Sequence, residues 1–223
     1  MPRNAETRAV RQVDRALATL YGEARFDEAT DLVGGLVNTI LSQNTSAANQ
    51  KAAYDNLRRS FPDWDAVADA EPGRIADAIR QGGLADMKAV RIRDILREIR
   101  RERGSIDLGF LADLSPEQAT AYLTSFKGVG PKTAACVLMF ELGRPAFPVD
   151  THVLRICKRL GWVPADCSAE RAHEIMDERV PHAVRYQLHV NMVTHGRRVC
   201  RPTRPRCGEC PIRRLCGYPD TSG

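Results

Sequence analysis

The chain has 223 residues, 43% of them hydrophobic and 27% charged, which is the composition of an ordinary globular protein. Its formal net charge of +5 favours a polyanionic partner such as nucleic acid, although a solvated arginine-rich surface explains the charge equally well. No run of about eighteen apolar residues occurs and the N-terminus lacks the apolar segment of a signal peptide, so we expect a cytoplasmic protein rather than a membrane-spanning or secreted one.

Apolar residues recur mostly at the spacing of amphipathic helices. In the segment LVGGLVNTILSQ they follow one another at i, i+1, i+4 and i+5, which places them on one face of a helix. Similar stripes occur at residues 5–20, 47–61, 74–79, 89–99 and 171–179. We find no alternating β-branched run bounded by turn residues, so the sequence predicts an all-α protein.

The sequence SPEQ predicts the start of a helix. Ser115 and Gln118 match a capping box, and Pro116 suits the first helical position. A second helix is predicted to begin at Pro131, after a turn that contains glycine. The two helices together form a predicted helix-hairpin-helix over about residues 115–142.

The turn of this hairpin has the sequence KGVG. Backbone N–H groups in a glycine turn before a helix point outward and bind a phosphate oxygen without reading the base sequence. We therefore predict a phosphate site at Gly128, Val129 and Gly130, to which Lys127 adds a further contact unless it is only a solvated loop lysine. A GVG turn alone is a weak signal, and a plain αα-hairpin is the simpler interpretation of it.

Lys132 is a candidate nucleophile. Only five of the 33 basic residues are lysines, and this one lies in the first turn of the second predicted helix. A cation is disfavoured there by about 0.3–1 kcal/mol because of the helix dipole, which favours the neutral amine that a nucleophile needs. A solvated helix lysine explains the residue, but it does not explain the unfavourable position.

Asp150, in the segment FPVDTHVLRICKRLGW, precedes another apolar helical stripe. It is therefore predicted to be an N-cap. A carboxylate that faces a reactive amine also accepts a proton or stabilises a developing cation. The two roles are compatible.

Four of the seven cysteines are clustered near the C-terminus. An odd number of cysteines in a cytoplasmic chain argues against a disulfide framework. The spacing Cys200-x6-Cys207-x2-Cys210-x5-Cys216 supplies four thiolates, which hold either tetrahedral zinc or an iron–sulfur cluster. The long arms favour a cluster, whose irons are spread apart, but they leave zinc open.

The same tail is rich in arginine. Arg201, Arg204 and Arg206 lie in the loop between the first two clustered cysteines, and a metal-stiffened loop of this kind is suited to gripping DNA phosphates. The three other cysteines are scattered and are expected to be small buried hydrophobes, namely Cys136, Cys157 and Cys167.

The motifs FKGVGPKTA, VDTHV and Cys-x6-Cys-x2-Cys-x5-Cys occur in this order over about residues 28–218. In sequence and separation they closely resemble the endonuclease III family of the helix-hairpin-helix DNA glycosylase superfamily. In that family the lysine of the hairpin is the nucleophile and the aspartate of VDTH assists it, and these roles fall on Lys132 and Asp150. The resemblance implies removal of an oxidised pyrimidine, followed by β-elimination that cuts the strand 3′ to the abasic site.

The resemblance also implies a domain organisation, a cofactor and a partner. Residues 26–147 correspond to a six-helix barrel domain, and residues 1–25 with 148–223 to an iron–sulfur cluster domain. The four clustered cysteines would hold a structural four-iron four-sulfur cluster, and the partner would be double-stranded DNA with damaged bases or abasic sites. We expect a monomer with no membrane partner, in the cytoplasm and at the nucleoid of a bacterial or archaeal cell.

Family members fill the gap left by a flipped base with side chains from two loops. Leu84 in GGLADMKA matches the wedge leucine, and Asn44, with Gln43 beside it, stands where a glutamine is common. This departure leaves the opposite-base preference open. Two further departures are Lys127, where proline is common, and Ala135, where asparagine is common.

Two alternative functions remain open at this level. One is a monofunctional adenine-mispair glycosylase, although such enzymes lack the nucleophilic lysine and carry an additional C-terminal domain. The other is a non-catalytic DNA-binding module, in which hairpin and cluster only grip phosphates. That second alternative leaves the pairing of Lys132 with Asp150 as a coincidence.

Overall fold

The computed structural model of the chain describes residues 2–27 and 31–218, with the side chains of residues 2–5 left out of the description. Residues 1, 28–30 and 219–223, which the predicted domains include, lie outside the described residues. Every regular element in the described part is helical, so the all-α prediction is confirmed. No helix within residues 2–27 or 31–218 combines the length and the apolar character needed to cross a bilayer.

Eleven α-helices form this part of the chain, joined by loops and short 3-10 turns. In chain order they are α1 (Pro2–Tyr21), α2 (Leu32–Leu41), α3 (Ala47–Ser60), α4 (Trp64–Asp69), α5 (Pro72–Ile79), α6 (Ala85–Arg103), α7 (Pro116–Ser125), α8 (Pro131–Phe140), α9 (Thr151–Arg159), α10 (Ala169–Arg179) and α11 (Arg185–Arg198).

The helices divide into two compact units. The terminal unit comprises Met1–Asp27 and Gly143–Gly223, and the central unit comprises Glu28–Leu142. The assignment of residues 26–147 to a six-helix barrel domain, and of residues 1–25 with 148–223 to a cluster domain, stays a prediction.

Side-chain caps fix the first residue of most helices. In each case a carboxylate or hydroxyl oxygen accepts a hydrogen bond from a backbone N–H of the first turn, which otherwise has no intrahelical partner. The capping residues are Asp31, Ser46, Asp63, Ser115, Asp150 and Ser168. The short polar residues between the apolar stripes therefore explain where the helices begin.

The polar helix α11 has no counterpart among the predicted stripes. Its buried residues include Arg185, His189, Asn191 and His195, so no apolar stripe marks it in the sequence. Arg185 donates to the Val180 carbonyl at 3.0 Å, and the Asn191 side chain donates to the Gly22 carbonyl at 3.1 Å. Arg185 and Asn191 on this face thus make tertiary hydrogen bonds in place of apolar contacts, which is why hydrophobic periodicity does not reveal the helix.

Candidate functional site

The predicted hairpin is present in the central unit. Ser115 Oγ accepts a hydrogen bond from the Gln118 backbone N–H at 3.2 Å, and Gln118 Oε1 accepts one from the Ser115 N–H at 2.9 Å, so the capping box is confirmed. Helix α7 ends at Ser125, three residues before the glycine at which the sequence placed its latest stop. Gly128, at φ +85°, turns the chain toward α8 in the left-handed region that glycine tolerates.

Most residues of the hairpin turn are exposed. Lys127, Gly128 and Gly130 are exposed, whereas Val129 is buried and its N–H donates to the Phe126 carbonyl at 3.0 Å. Buried Val129 therefore anchors a turn whose other residues face solvent. The Val129 N–H is thus already donated within the turn, so the predicted phosphate site rests on Gly128 and Gly130, and their contact with DNA stays a prediction.

Lys132 is the second residue of α8 and is half-buried. It lies in the turn where N–H groups lack intrahelical acceptors and where the helix dipole is positive. The next seven residues of α8 are all buried, from Thr133 to Met139. The buried helix α8 thus carries a half-buried lysine in its first turn, and the nucleophilic role of Lys132 stays a prediction.

Gln43 is held by side chains that the sequence did not single out. Arg91 Nη1 donates to Gln43 Oε1 at 2.7 Å, and Gln43 Nε2 donates to Thr133 Oγ1 at 3.3 Å. A β-carbon added to Gly128 would collide with the Arg91 guanidinium, so this guanidinium lies directly against the hairpin turn. Arg91 therefore joins the loop after α2 to the hairpin.

Asn44 and Leu84 share a rare backbone conformation. Their φ angles are 54° and 52°, in the left-handed region, and both side chains are exposed, Leu84 by 50%. The two loops approach each other at Gly83, next to Leu84, because a β-carbon built on it would be 3.9 Å from the Asn44 carbonyl oxygen. Non-glycine residues held in this region cost about 1–3 kcal/mol each and cluster at functional sites.

Asp150 caps α9 in the terminal unit. Its Oδ1 accepts hydrogen bonds from the backbone N–H groups of His152 at 2.9 Å and Val153 at 2.7 Å, which confirms the predicted N-cap. The side chain is half-buried. Its second predicted role, in proton transfer at an amine, stays a prediction.

The four clustered cysteines line one cavity in the terminal unit. None of the seven cysteines, all within the described residues, forms a disulfide, and Cys136, Cys157 and Cys167 are buried as predicted. Within residues 2–27 and 31–218, no three His, Cys, Asp or Glu side chains are grouped so that they could hold a metal ion. By chemistry the four sulfurs fit either a cluster or zinc, and the ligand assignment to Cys200, Cys207, Cys210 and Cys216 stays a prediction.

Two basic side chains border the sulfurs. Arg159 Nη1 lies 3.1 Å from Cys200 Sγ, and His195 Nε2 lies 3.4 Å from Cys210 Sγ. Burial raises the pKa of Cys210 to about 11 and lowers the pKa of His195 to about 4. A metal group at this thiol must therefore displace its proton, as metal binding to cysteine generally does.

The arginine loop, residues 201–206, is held in place by hydrogen bonds from Arg159 of α9 to its backbone. Arg159 donates to the carbonyls of Arg201 at 2.8 Å and Pro202 at 3.1 Å. Arg204, at φ 48°, and Arg206 are exposed together with Arg201, as the sequence predicted, and Arg206 forms a loose ion pair of 3.6 Å with Glu209. The contact of these arginines with DNA phosphates stays a prediction.

Comparison with known proteins identifies a family and related chains. A family model described as HhH-GPD superfamily base excision DNA repair protein matches residues 37–182. Endonuclease III of Thermotoga maritima is 34% identical over 194 residues, which cover 87% of this chain and 86% of that protein. A candidate DNA glycosylase of Arabidopsis thaliana is 44% identical over 170 residues, and the match covers 76% of this chain but only 58% of the plant protein.

Solved structures show the same fold. A non-covalent complex of endonuclease III with DNA has a TM-score of 0.80 at 24% identity, and the match covers 94% of each chain. A trapped covalent intermediate of endonuclease III with DNA also has a TM-score of 0.80 at 24% identity, over 94% of this chain and 95% of that one.

Proposed function

This chain belongs to the HhH-GPD superfamily of base excision DNA repair proteins, and from that premise we propose that it is a DNA glycosylase with AP lyase activity. Its proposed substrates are oxidised pyrimidines in double-stranded DNA and the abasic sites that their removal leaves. The likeness to endonuclease III over most of both chains supports this assignment.

One observation carries the proposal of a lyase. Lys132 is a half-buried lysine in the first turn of α8, directly after a hairpin turn in which Gly128 and Gly130 are exposed. The N–H groups of Gly128 and Gly130 would hold a phosphate of the damaged strand, and this would bring the sugar of a flipped nucleotide toward the amine. An ammonium group in this position also binds phosphate, so covalent trapping is the measurement that separates the two roles.

The proposed chemistry begins with nucleophilic attack. Neutral Lys132 Nζ forms a bond to C1′ of the damaged nucleotide, and the glycosidic bond breaks so that the base leaves with the electron pair. The bond between C1′ and the ring oxygen O4′ then breaks to give an imine between Nζ and C1′, and the two protons that Nζ loses pass to the departed base and to O4′. Loss of a proton from C2′ then expels the 3′ phosphate by β-elimination, and hydrolysis of the imine restores the amine. We assign the proton transfers of the first step to Asp150.

We further propose a four-iron four-sulfur cluster on Cys200, Cys207, Cys210 and Cys216. Its role would be structural: it would fix the fold around the arginine loop, so that Arg201, Arg204 and Arg206 grip phosphates at a small cost in entropy. The cavity that these four sulfurs share supports the proposal. We also propose that the protein acts as a monomer on double-stranded DNA, in the cytoplasm and at the nucleoid.

Borohydride trapping tests the lyase directly, because the reductant fixes an imine between amine and sugar. The wild-type chain is incubated with duplexes that carry an abasic site, a thymine glycol or no lesion, together with Lys132→Gln and the exposed hairpin control Lys127→Gln. We expect covalent adducts with both damaged duplexes for the wild type and for Lys127→Gln, and none for Lys132→Gln.

Three other outcomes contradict parts of the proposal. Excision of thymine glycol without any adduct would identify a monofunctional glycosylase. Trapping that persists in Lys132→Gln and disappears in Lys127→Gln would move the nucleophile to the hairpin turn. Binding of the damaged duplexes without excision or adduct would leave a non-catalytic DNA-binding protein.

A further inference from the structure

Lys88 is a buried cation without a carboxylate partner. It is the only one of the five lysines with no solvent exposure, and the charged side chain that acts on it within residues 2–27 and 31–218 is another cation, Arg91. Its ammonium donates to the backbone carbonyls of Leu41 and Gly82, both at 2.8 Å. The charge is therefore compensated by backbone dipoles alone.

The two acceptor carbonyls lie where the two loops that carry the candidate gap-filling residues begin. Leu41 is the last residue of α2, three residues before Asn44. Gly82 ends the 3-10 turn two residues before Leu84. One ammonium group thus connects both loops at the points where their left-handed residues begin to project into solvent.

A role in core packing alone does not account for this lysine. Burial, and to a lesser degree Arg91, lowers the pKa of Lys88, so keeping its charge costs free energy. An apolar side chain of similar length would fill the same volume of α6 without that cost. What an apolar side chain cannot do is hold two carbonyls from different loops at a fixed separation.

We propose that Lys88 is a positioning residue that holds the Asn44 and Leu84 loops at the spacing needed for both side chains to enter the gap left by a flipped base. This inference rests on the proposed function, because it assumes that the protein extrudes a damaged nucleotide. Lys88 touches no reacting atom in this account. It acts only through its hydrogen bonds to the Leu41 and Gly82 carbonyls, where the two loops begin.

The test compares affinity for a duplex that carries a tetrahydrofuran abasic-site analogue with affinity for the same duplex without a lesion. Lys88→Met keeps the length of the side chain and removes both hydrogen bonds. The matched control is Leu96→Ala. Leu96 is also fully buried on α6, but its side chain forms no hydrogen bond to either loop. We expect Lys88→Met to lose about tenfold in lesion preference and Leu96→Ala to keep it within about twofold, even at equal loss of melting temperature.

The same variants separate this inference from the proposed function. At saturating protein, Lys88→Met retains Lys132 and should still form a borohydride adduct with an abasic duplex. A wild type that prefers the lesion but forms no adduct would contradict the proposed lyase activity and would not contradict the positioning role of Lys88. A Lys88→Met variant that keeps the full lesion preference would contradict the positioning role of Lys88 and would not contradict the proposed lyase activity.

A measurement on the wild type keeps the inference testable if Lys88→Met does not fold. With nitrogen-15 in its five lysines, the protein should show one ammonium signal whose protons exchange slowly with water, since Lys88 alone is fully buried. We expect this signal to persist when the tetrahydrofuran duplex binds. Loss of this signal on binding would mean that the hydrogen bonds of Lys88 to Leu41 and Gly82 break in the complex, and the inference would fail.

Discussion

The Arg91 guanidinium donates a hydrogen bond to the Gln43 side-chain oxygen at 2.7 Å, and this contact separates the roles of two neighbouring residues. Gln43 is engaged by Arg91 and by Thr133, whereas the next residue, Asn44, is exposed on a left-handed backbone. The sequence left open which of the two fills the gap opposite an estranged base. The hydrogen bonds favour Asn44 as the filler and Gln43 as its support.

We therefore expect Asn44→Ala to lower the preference for a lesion duplex by about tenfold, because the gap would lose a polar side chain that meets the unpaired base. The expected loss for Gln43→Ala is smaller. Affinities for tetrahydrofuran duplexes with each of the four opposite bases give the measurement, since only the filler should change the order of the four. A changed order in Gln43→Ala alone would reverse the assignment.

Asp150→Asn separates the cap of α9 from the proposed proton transfer. Asparagine caps a helix about as well as aspartate, so the melting temperature should stay near that of the wild type. Single-turnover excision should slow by about a hundredfold or more, because the amide cannot accept the proton. Asp150→Ala is the companion variant, and it should lose about 1 kcal/mol of stability as well. An Asn variant with the wild-type rate would reduce Asp150 to a cap.

The hairpin could be predicted because its signals are local in sequence. The residues that hold the neighbouring loops could not, because their partners are far away in sequence. The start of α7 follows from Ser115 and Gln118, which are three residues apart, and the turn follows from its glycines. Arg91 and Lys88 meet partners 48 and 47 residues away, which no local pattern specifies. The one visible signal was that Lys88 directly precedes the apolar stripe of α6 and lies on its buried face, where a lysine must find buried acceptors.

Arg204 and Arg206 are expected to bind phosphates, because their side chains project from a loop that Arg159 holds in place. Each phosphate contact contributes about 0.9 to the slope of log K against log salt concentration, so the double alanine variant should lower the slope by about two. Binding to all DNA sequences should weaken alike. Arg171→Ala, an exposed arginine on α10, is the control, and equal slopes in both variants would remove the loop from the interface.

The cluster proposal predicts the metal content of the purified protein. The wild type should contain about four irons and as many acid-labile sulfides per chain, whereas a zinc site would give one zinc and no sulfide. Cys200→Ser should lose iron and sulfide together and lower the melting temperature of the terminal unit. Cys167→Ser removes a buried thiol outside the cavity and should keep both. Full iron content in Cys200→Ser would contradict the ligand assignment.

Glu141 should make stability depend on pH in the central unit. Burial, and secondarily the nearby Asp31 carboxylate, raises the pKa of Glu141 above its ordinary value of 4.5. Since the folded state holds this proton more tightly than the unfolded chain, the contribution of Glu141 to stability is present at low pH and is lost as the pH rises through the raised pKa. Above that pH the carboxylate destabilises the fold.

Glu141→Gln removes the charge and nearly preserves the shape of a side chain that packs against Gly35. The variant should resist urea better than the wild type at pH 8, and the difference should vanish near pH 4, where Glu141 is protonated in the folded protein. Glu178→Gln, at an exposed position of α10, removes the same charge without the burial. If both variants shift stability equally at pH 8, the effect comes from net charge, and the buried carboxyl of Glu141 does not account for it.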